Sequence, residues 1–220
     1  MGPTGVGKST VSSAYVCVLI IARSVGHQLQ SHTSAVRPFT ISISHGAFKG
    51  HRLIIVDTPG FDDMYLDDSE ILGRITSWLA MSYNSKMKLA GVIYLHDISQ
   101  CRFLGTVSKN LHIFCKLCGD DALPSVILRT TKWGQVDHET EKRREEELRG
   151  KCWKDFLENS ATMHRFLDDH ESAWNMVNCL LQKILVVDSL HIQQELVDLG
   201  KLIPDTDAGK LLRYKLEEVL

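Results

Sequence analysis

The stretch MGPTGVGKST, residues 1–10, decides the fold. From Gly2 it follows the pattern G-x-x-x-x-G-K-[ST] without a gap. In that pattern the glycines let backbone N–H groups wrap the α- and β-phosphates of a nucleotide, the lysine reaches the β/γ oxygens, and the hydroxyl that follows binds Mg²⁺. Gly2, Pro3, Thr4, Gly5, Val6, Gly7, Lys8, Ser9 and Thr10 therefore form a phosphate cradle in sequence, with Lys8 on phosphate and Ser9 on metal. Such a loop normally hangs between a strand and a helix, so its meaning depends on its surroundings.

The chain downstream supplies the alternation this loop requires. VRPFTISIS (36–44) and HRLIIVDTP (51–59) are β-rich runs joined by the short HGAFKG, the pattern of a hairpin. DSEILGRITSWLAMSY (68–83) has Ile71, Leu72, Ile75 and Leu79 at helical spacing behind acidic residues suited to an N-terminus. KLAGVIYLH (88–96) then reads as a buried strand, GTVSKNLHIFCKLCG (105–119) as a helix closed by Gly119, and PSVILRTT (124–131) as another strand. A charged helix over 138–159, a short strand at 162–166 and a helix over 171–185 continue the series. The expectation is an α/β, three-layer P-loop NTPase fold: a mostly parallel sheet with one antiparallel edge strand and helices on both faces. Ligands of such sheets bind beyond the carboxyl ends of the strands.

The run IIVDTPG places Asp57 at the end of a buried strand and Gly60 three residues later. This is the D-x-x-G arrangement, in which the carboxylate steadies the Mg²⁺ shell and the glycine N–H meets the γ-phosphate. Between the two motifs lies LQSHTSAV, where Thr33 can bring a hydroxyl to the metal. Ser9, Thr33 and Asp57 are thus the expected metal ligands, and Lys8, Thr33 and Gly60 the expected contacts to the reacting phosphate.

Composition narrows the class further. With 220 residues, 44% hydrophobic and 24% charged, the chain suits one large domain. We expect it to divide into a nucleotide-binding domain over 1–187 and an amphipathic helical extension over 188–220, broken at PDTDAG by Pro204 and Gly209. A net charge of −2 gives no basic field for a phosphate polymer, so nucleic acid is not an expected partner. The apolar run AYVCVLIIA (14–22) has nine residues, whereas a bilayer span takes about 20. Six irregularly spaced cysteines without a secretory signal suggest reduced thiols and a cytoplasmic setting, and CKLC (115–118) reads as a lone pair packed on a helix.

Taken together, GPTGVGKST, GHQLQSHTS, VDTPGFDD, GVIYLHDIS, KLCGDDALPSVILRTTKWG and HESAW resemble the septin-like branch of P-loop GTPases that includes the AIG-type G domains, especially their fungal relatives. The resemblance implies GTP or GDP with Mg²⁺ as cofactors and a nucleotide-dependent switch. It adds Thr131 and Lys132 to the nucleotide contacts, as the first residues of a guanine-reading TKxD. Arg102 of DISQCRFLG, in the loop at the carboxyl end of its strand, lies on the ligand side, from which it can reach across a homodimer formed on the nucleotide face, and the alternating charges of the C-terminal helical pieces suit a protein partner.

Three departures shape the expected activity. Gly134 stands where the guanine-reading aspartate belongs, which removes a bidentate contact and weakens discrimination against ATP. Phe61 follows Gly60 where many GTPases place a water-orienting glutamine, so hydrolysis is expected to be slow. Met1 abuts Gly2 where the family has the central strand of the sheet, and the continuously apolar 14–22 lies where the family has a helix and loop, so the sequence reads as truncated at its N-terminus with that strand missing. A non-catalytic interaction module and an ATP-binding protein stand as the alternatives to a slow GTPase.

Overall fold

The computed structural model describes residues 1, 18–22, 36–42, 52–59, 61, 67–100, 105–167, 169, 172, 175, 178–179, 181–182 and 189–217. Six strands, Val18–Ala22 (β1), Arg37–Ser42 (β2), Arg52–Asp57 (β3), Lys88–Asp97 (β4), Val126–Thr131 (β5) and Thr162–Arg165 (β6), form one sheet in the order β2-β3-β1-β4-β5-β6. β4, β5 and β6 run parallel, and β3 points the same way because β3 and β4 are both antiparallel to β1. The edge strand β2 is antiparallel to β3, in register from Arg37 opposite Asp57 to Ser42 opposite Arg52. This is the expected mostly parallel sheet with an antiparallel edge hairpin.

The centre of the sheet holds the main departure. The apolar run that falls where a helix is expected is a strand instead, and β1 fills the slot between β3 and β4 in the antiparallel sense. Val, Leu and Ile in sequence suit a strand at the centre of a sheet, and pairing on both sides supplies partners for backbone groups that a central gap would leave open. β1 covers β4 only as far as Val92. Beyond it, the Met1 amino group donates to Ile93 O and Leu95 N–H donates to Met1 O at 2.7 Å, the bond pattern of a parallel bridge opposite Tyr94. β5 already occupies the other edge of β4 from Val92 to Asp97, so Met1 lies on the β1 side, buried and running with β4. Among the described residues, the central slot is shared between an antiparallel strand and Met1.

Helices Asp68–Asn84 (α1), Gly105–Cys118 (α2), His138–Glu147 (α3) and Lys154–Glu158 (α4) surround the sheet. The α1 stripe Ile71, Leu72, Ile75, Trp78 and Leu79 joins Leu111, Phe114 and Leu117 of α2 and one set of strand residues, among them Ile54, Val56, Tyr94 and Leu128, in one core. The helix expected over 138–159 is interrupted. A wide turn at Leu148–Cys152 brings Trp153 inward, where it is wholly buried and meets His96 edge-on at 5.9 Å. Burying a ring of that size outweighs the regularity of one turn. The helix expected over 171–185 is helical at each described position from 172 to 182.

The C-terminal segment packs back on this core. His191–Gln193 (α5) continues through a wider turn to Asp198, and after a short turn at Ile203–Asp205 comes Asp207–Glu217 (α6). Leu190, Ile192 and Ala208 are fully buried in the common core. Gln193 Nε2 donates to Leu79 O at 2.9 Å, tying α5 to α1. Pro204 breaks the segment as expected, but Gly209 does not: it lies inside α6, where a Cβ would stand 1.9 Å from Ile203 O. Its role is close approach of two backbones.

Candidate functional site

The strands that run together end at Asp57, Asp97, Thr131 and Arg165, so their carboxyl ends form one rim. Met1 lies beside β4 opposite Tyr94, three residues before that rim. Asp57 is half-buried at the end of β3, opposite Arg37 of the edge strand. After it, Thr58 is buried and Phe61 is 1% exposed, a member of the hydrophobic core. Phe61 thus serves packing. The loop 2–10, Thr33, Gly60 and Arg102 lie outside the described residues.

The best-defined part of the rim is the turn after β5. Thr131 is buried and its Oγ1 donates to His96 O at 3.3 Å, which locks β5 to β4 just before the turn. Lys132 adopts the left-handed backbone, φ 60°, and its Nζ meets Asp97 Oδ2 at 2.8 Å. A lysine in that conformation is strained by about 1 kcal/mol or more, and the ion pair is what holds it there. Ser99 closes on the other oxygen: its N–H and Oγ donate to Asp97 Oδ1 at 2.8 and 2.6 Å. Burial pushes the Asp97 carboxyl up, but the hydrogen bonds from Lys132 and Ser99 outweigh it and hold the group below the usual carboxylate range. Asp97 is an ionised, oriented acceptor on the rim.

Asp97 was not among the residues singled out from sequence. Its signal was present, because an acidic residue directly follows the buried run GVIYLH, as Asp57 follows LIIV. What that position does depends on Lys132, 35 residues away, which no local pattern reveals.

Gly134 also has a left-handed backbone, φ 83°, with open space around a Cβ. Its N–H donates to Glu141 Oε1, and Glu141 is 5% exposed on the first turns of α3. Asp137 caps that helix by accepting from Thr140 N–H at 2.9 Å, and so is committed there instead of substituting for the missing aspartate. Trp133 Nε1 donates to Thr130 Oγ1 at 3.1 Å, and the Arg165 guanidinium covers the Trp133 ring at 4.3 Å while pairing with Glu145. Beneath, the buried Arg129 donates to Arg165 O at 2.9 Å and Ser172 O at 2.6 Å, and burial brings its pKa down to about 10. The turn 131–134 is fixed from three sides and offers no carboxylate of its own to a base.

Among the described residues, no helix is long and apolar enough to cross a membrane.

No protein-family model matches the chain, and no curated protein does. Solved structures do. Toc33 from Arabidopsis thaliana in complex with GDP and Mg²⁺ is 16% identical, with 87% of this chain and 85% of that chain covered at a TM-score of 0.55. A dimerization-deficient mutant of the same protein gives 14% identity, 87% and 85% coverage and a TM-score of 0.56. Translation elongation factor SelB from Methanococcus maripaludis, in complex with the GTP analogue GppNHp, is 12% identical over 86% of this chain and 33% of that one, with a TM-score of 0.51. At these identities the likeness shows the fold: the chain has the fold of a P-loop GTPase G domain.

Proposed function

We propose that the protein is a guanine-nucleotide-binding G domain of the septin-like, AIG-type kind, with slow Mg²⁺-dependent hydrolysis, acting as a switch or assembly module. The observation that carries this reading is the rim. Asp57 and the oriented Asp97–Lys132 pair share the carboxyl ends of one sheet, where a fold of this class binds its ligand. The sequence from Gly2 to Thr10 has every residue type the phosphates need. Lys8 and Ser9 would take phosphate and Mg²⁺, with Thr33, Asp57 and Gly60 around the metal and γ-phosphate. A nucleotide-facing homodimer with Arg102 near the partner's ligand is the assembly proposed, and Toc33 is a relative in fold whose dimerization has been described. The free thiols Cys115, Cys118, Cys152 and Cys179 support a cytoplasmic setting.

A second reading rests on Gly134 and on the engagement of Lys132 by Asp97, which leave guanine and adenine poorly distinguished. The experiment that separates the readings is a calorimetric titration with GTP, GDP and ATP, with and without Mg²⁺, on the full chain and on Lys8→Ala. Mg²⁺-dependent GTP binding abolished by Lys8→Ala is the expected result. Equal affinity for GTP and ATP favours the second reading, and affinity unchanged in Lys8→Ala removes the loop from the site.

A further inference from the structure

Away from the rim, three side chains from the C-terminal segment converge. His191 and Glu195, four residues apart on one helical face, and Asp207 at the start of α6 bring Nε2, Oε2 and Oδ2 together. His191 Nε2 lies 3.6 Å from Glu195 Oε2 and 3.5 Å from Asp207 Oδ2. Both separations exceed a hydrogen bond, and a single Nε2 hydrogen can serve only one of two acceptors. They match another geometry. Donor atoms about 2.0–2.2 Å from a tetrahedral Zn²⁺ stand roughly 3.3–3.6 Å from one another.

The surroundings have the other properties of a cation site. Glu195 is wholly buried, and its outer oxygen Oε1 is held by Lys201 Nζ at 2.8 Å and Asp207 N–H at 3.1 Å. Asp207 Oδ1 is held by Lys210 Nζ at 3.2 Å. The Asp207 N–H is shared with Glu195 Oε2 at a longer 3.3 Å. The far oxygen of each carboxylate is therefore held most tightly and the near one faces His191, an arrangement in which outer hydrogen bonds orient the carboxylates as they do in metal sites. Gly119, φ 76°, lies so close that a Cβ there would stand 2.6 Å from His191 Cβ, which fixes where the imidazole starts. An open cavity of about 320 Å³ lined by Cys115, Cys118, Gly119, His191 and Asp207 gives an entry path and room for a fourth, exchangeable ligand. Burial pushes both thiols up, foremost Cys118, so the cysteines line the cavity as neutral thiols.

We propose that His191, Glu195 and Asp207 form a binding site for a zinc-class divalent cation, which fastens the C-terminal segment where it meets the end of α2. The imidazole donor, and its 3.5 and 3.6 Å separations from the two carboxylate oxygens, favour Zn²⁺ over the oxygen-only sites of Mg²⁺ or Ca²⁺.

The test is zinc binding to the full chain, stripped with a chelator, followed by calorimetry with ZnCl₂ and by the visible spectrum with Co²⁺. One equivalent should bind at micromolar or lower Kd, with four-coordinate Co²⁺ bands. His191→Ala and Asp207→Asn should each weaken it by about 10- to 100-fold or more, while Cys115→Ser/Cys118→Ser leaves it unchanged. His191 and Asp207 are 37% and 40% exposed at the side chain, so both variants can be checked for a native circular dichroism spectrum before titration. Lys8→Ala should bind zinc like the parent, which keeps this result independent of the nucleotide reading. Millimolar binding, an unchanged Kd in His191→Ala, or loss of the site in the cysteine variant overturns the proposal.

Discussion

Lys132 Nζ sits 2.8 Å from Asp97 Oδ2, bridging the carboxyl ends of β4 and β5. The ammonium is thus committed within the protein, and under the proposed function Lys132 would offer a base its alkyl chain. Lys132→Met should therefore keep nucleotide affinity within about 3-fold of the parent, whereas Lys132→Ala should lose roughly 10-fold, a difference of about 1.4 kcal/mol. Calorimetry at a temperature where all three chains are folded checks this. Equal losses in both variants would show that the charge itself contacts the ligand.

Gly134 allows a direct test of base reading. A side chain at φ 83° is strained, but there is open space for it. Gly134→Asp should lower stability by about 1 kcal/mol and raise the preference for GTP over ATP by about 10-fold. Competition binding beside urea denaturation measures both. A stability loss without a change in preference would place the base elsewhere.

The same turn depends on Glu141, whose carboxylate accepts from Gly134 N–H while 5% exposed. Glu141→Ala should cost about 1–2 kcal/mol, because the Gly134 N–H loses the charged acceptor that fixes the turn. Glu141→Gln, which keeps an acceptor oxygen, should cost less than half of that. Equal chemical-denaturation midpoints for the two variants would contradict this assignment.

His96 gives a pH signature. Burial lowers its pKa from the ordinary 6.5 to about 4, although Asp97 pulls it back upward. The unfolded chain therefore binds a proton that the folded chain refuses between these values. The contribution is full above pH of about 6.5 and is lost as pH falls toward about 4, for a total of about 3 kcal/mol. Unfolding free energy measured across that window should decline in the parent, and the decline should shrink in His96→Phe, which retains a ring against Trp153. Parallel profiles would refute it.

The C-terminal segment should unfold with the rest of the domain. Thr206 Oγ1 accepts from Gly209 N–H at 3.1 Å, so Thr206→Ala should cost about 1 kcal/mol as a lost helix cap. Gly209→Ala should cost about 3 kcal/mol or more, since its methyl would meet Ile203 O. A single cooperative calorimetric transition, shifted as a whole in both variants, is expected. Two separated transitions would mean that the segment is an independent unit.

Much of the architecture was legible in sequence because its causes are local. Alternation and apolar spacing set β2 through β6 and α1 and α2, and Pro204 set the break before α6, within a few residues of where they lie. The place of Asp57 at the end of β3 was legible for the same reason. The rest depends on which distant segments meet. Val18–Ala22 has the apolar content of a buried segment, but only the open slot between β3 and β4 makes it a strand, and only its route through the sheet makes it antiparallel. Trp153 interrupts α3 because the core has room for a ring. Asp97 acquires its role from Lys132, Gly134 its fixed N–H from Glu141, and Gly209 its necessity from Ile203, each a contact whose partner the backbone path selects. Periodicity records whether a residue is buried, since that is a property of its own side chain, whereas direction, pairing and charge partnership are properties of two segments and exist only once the chain has closed on itself.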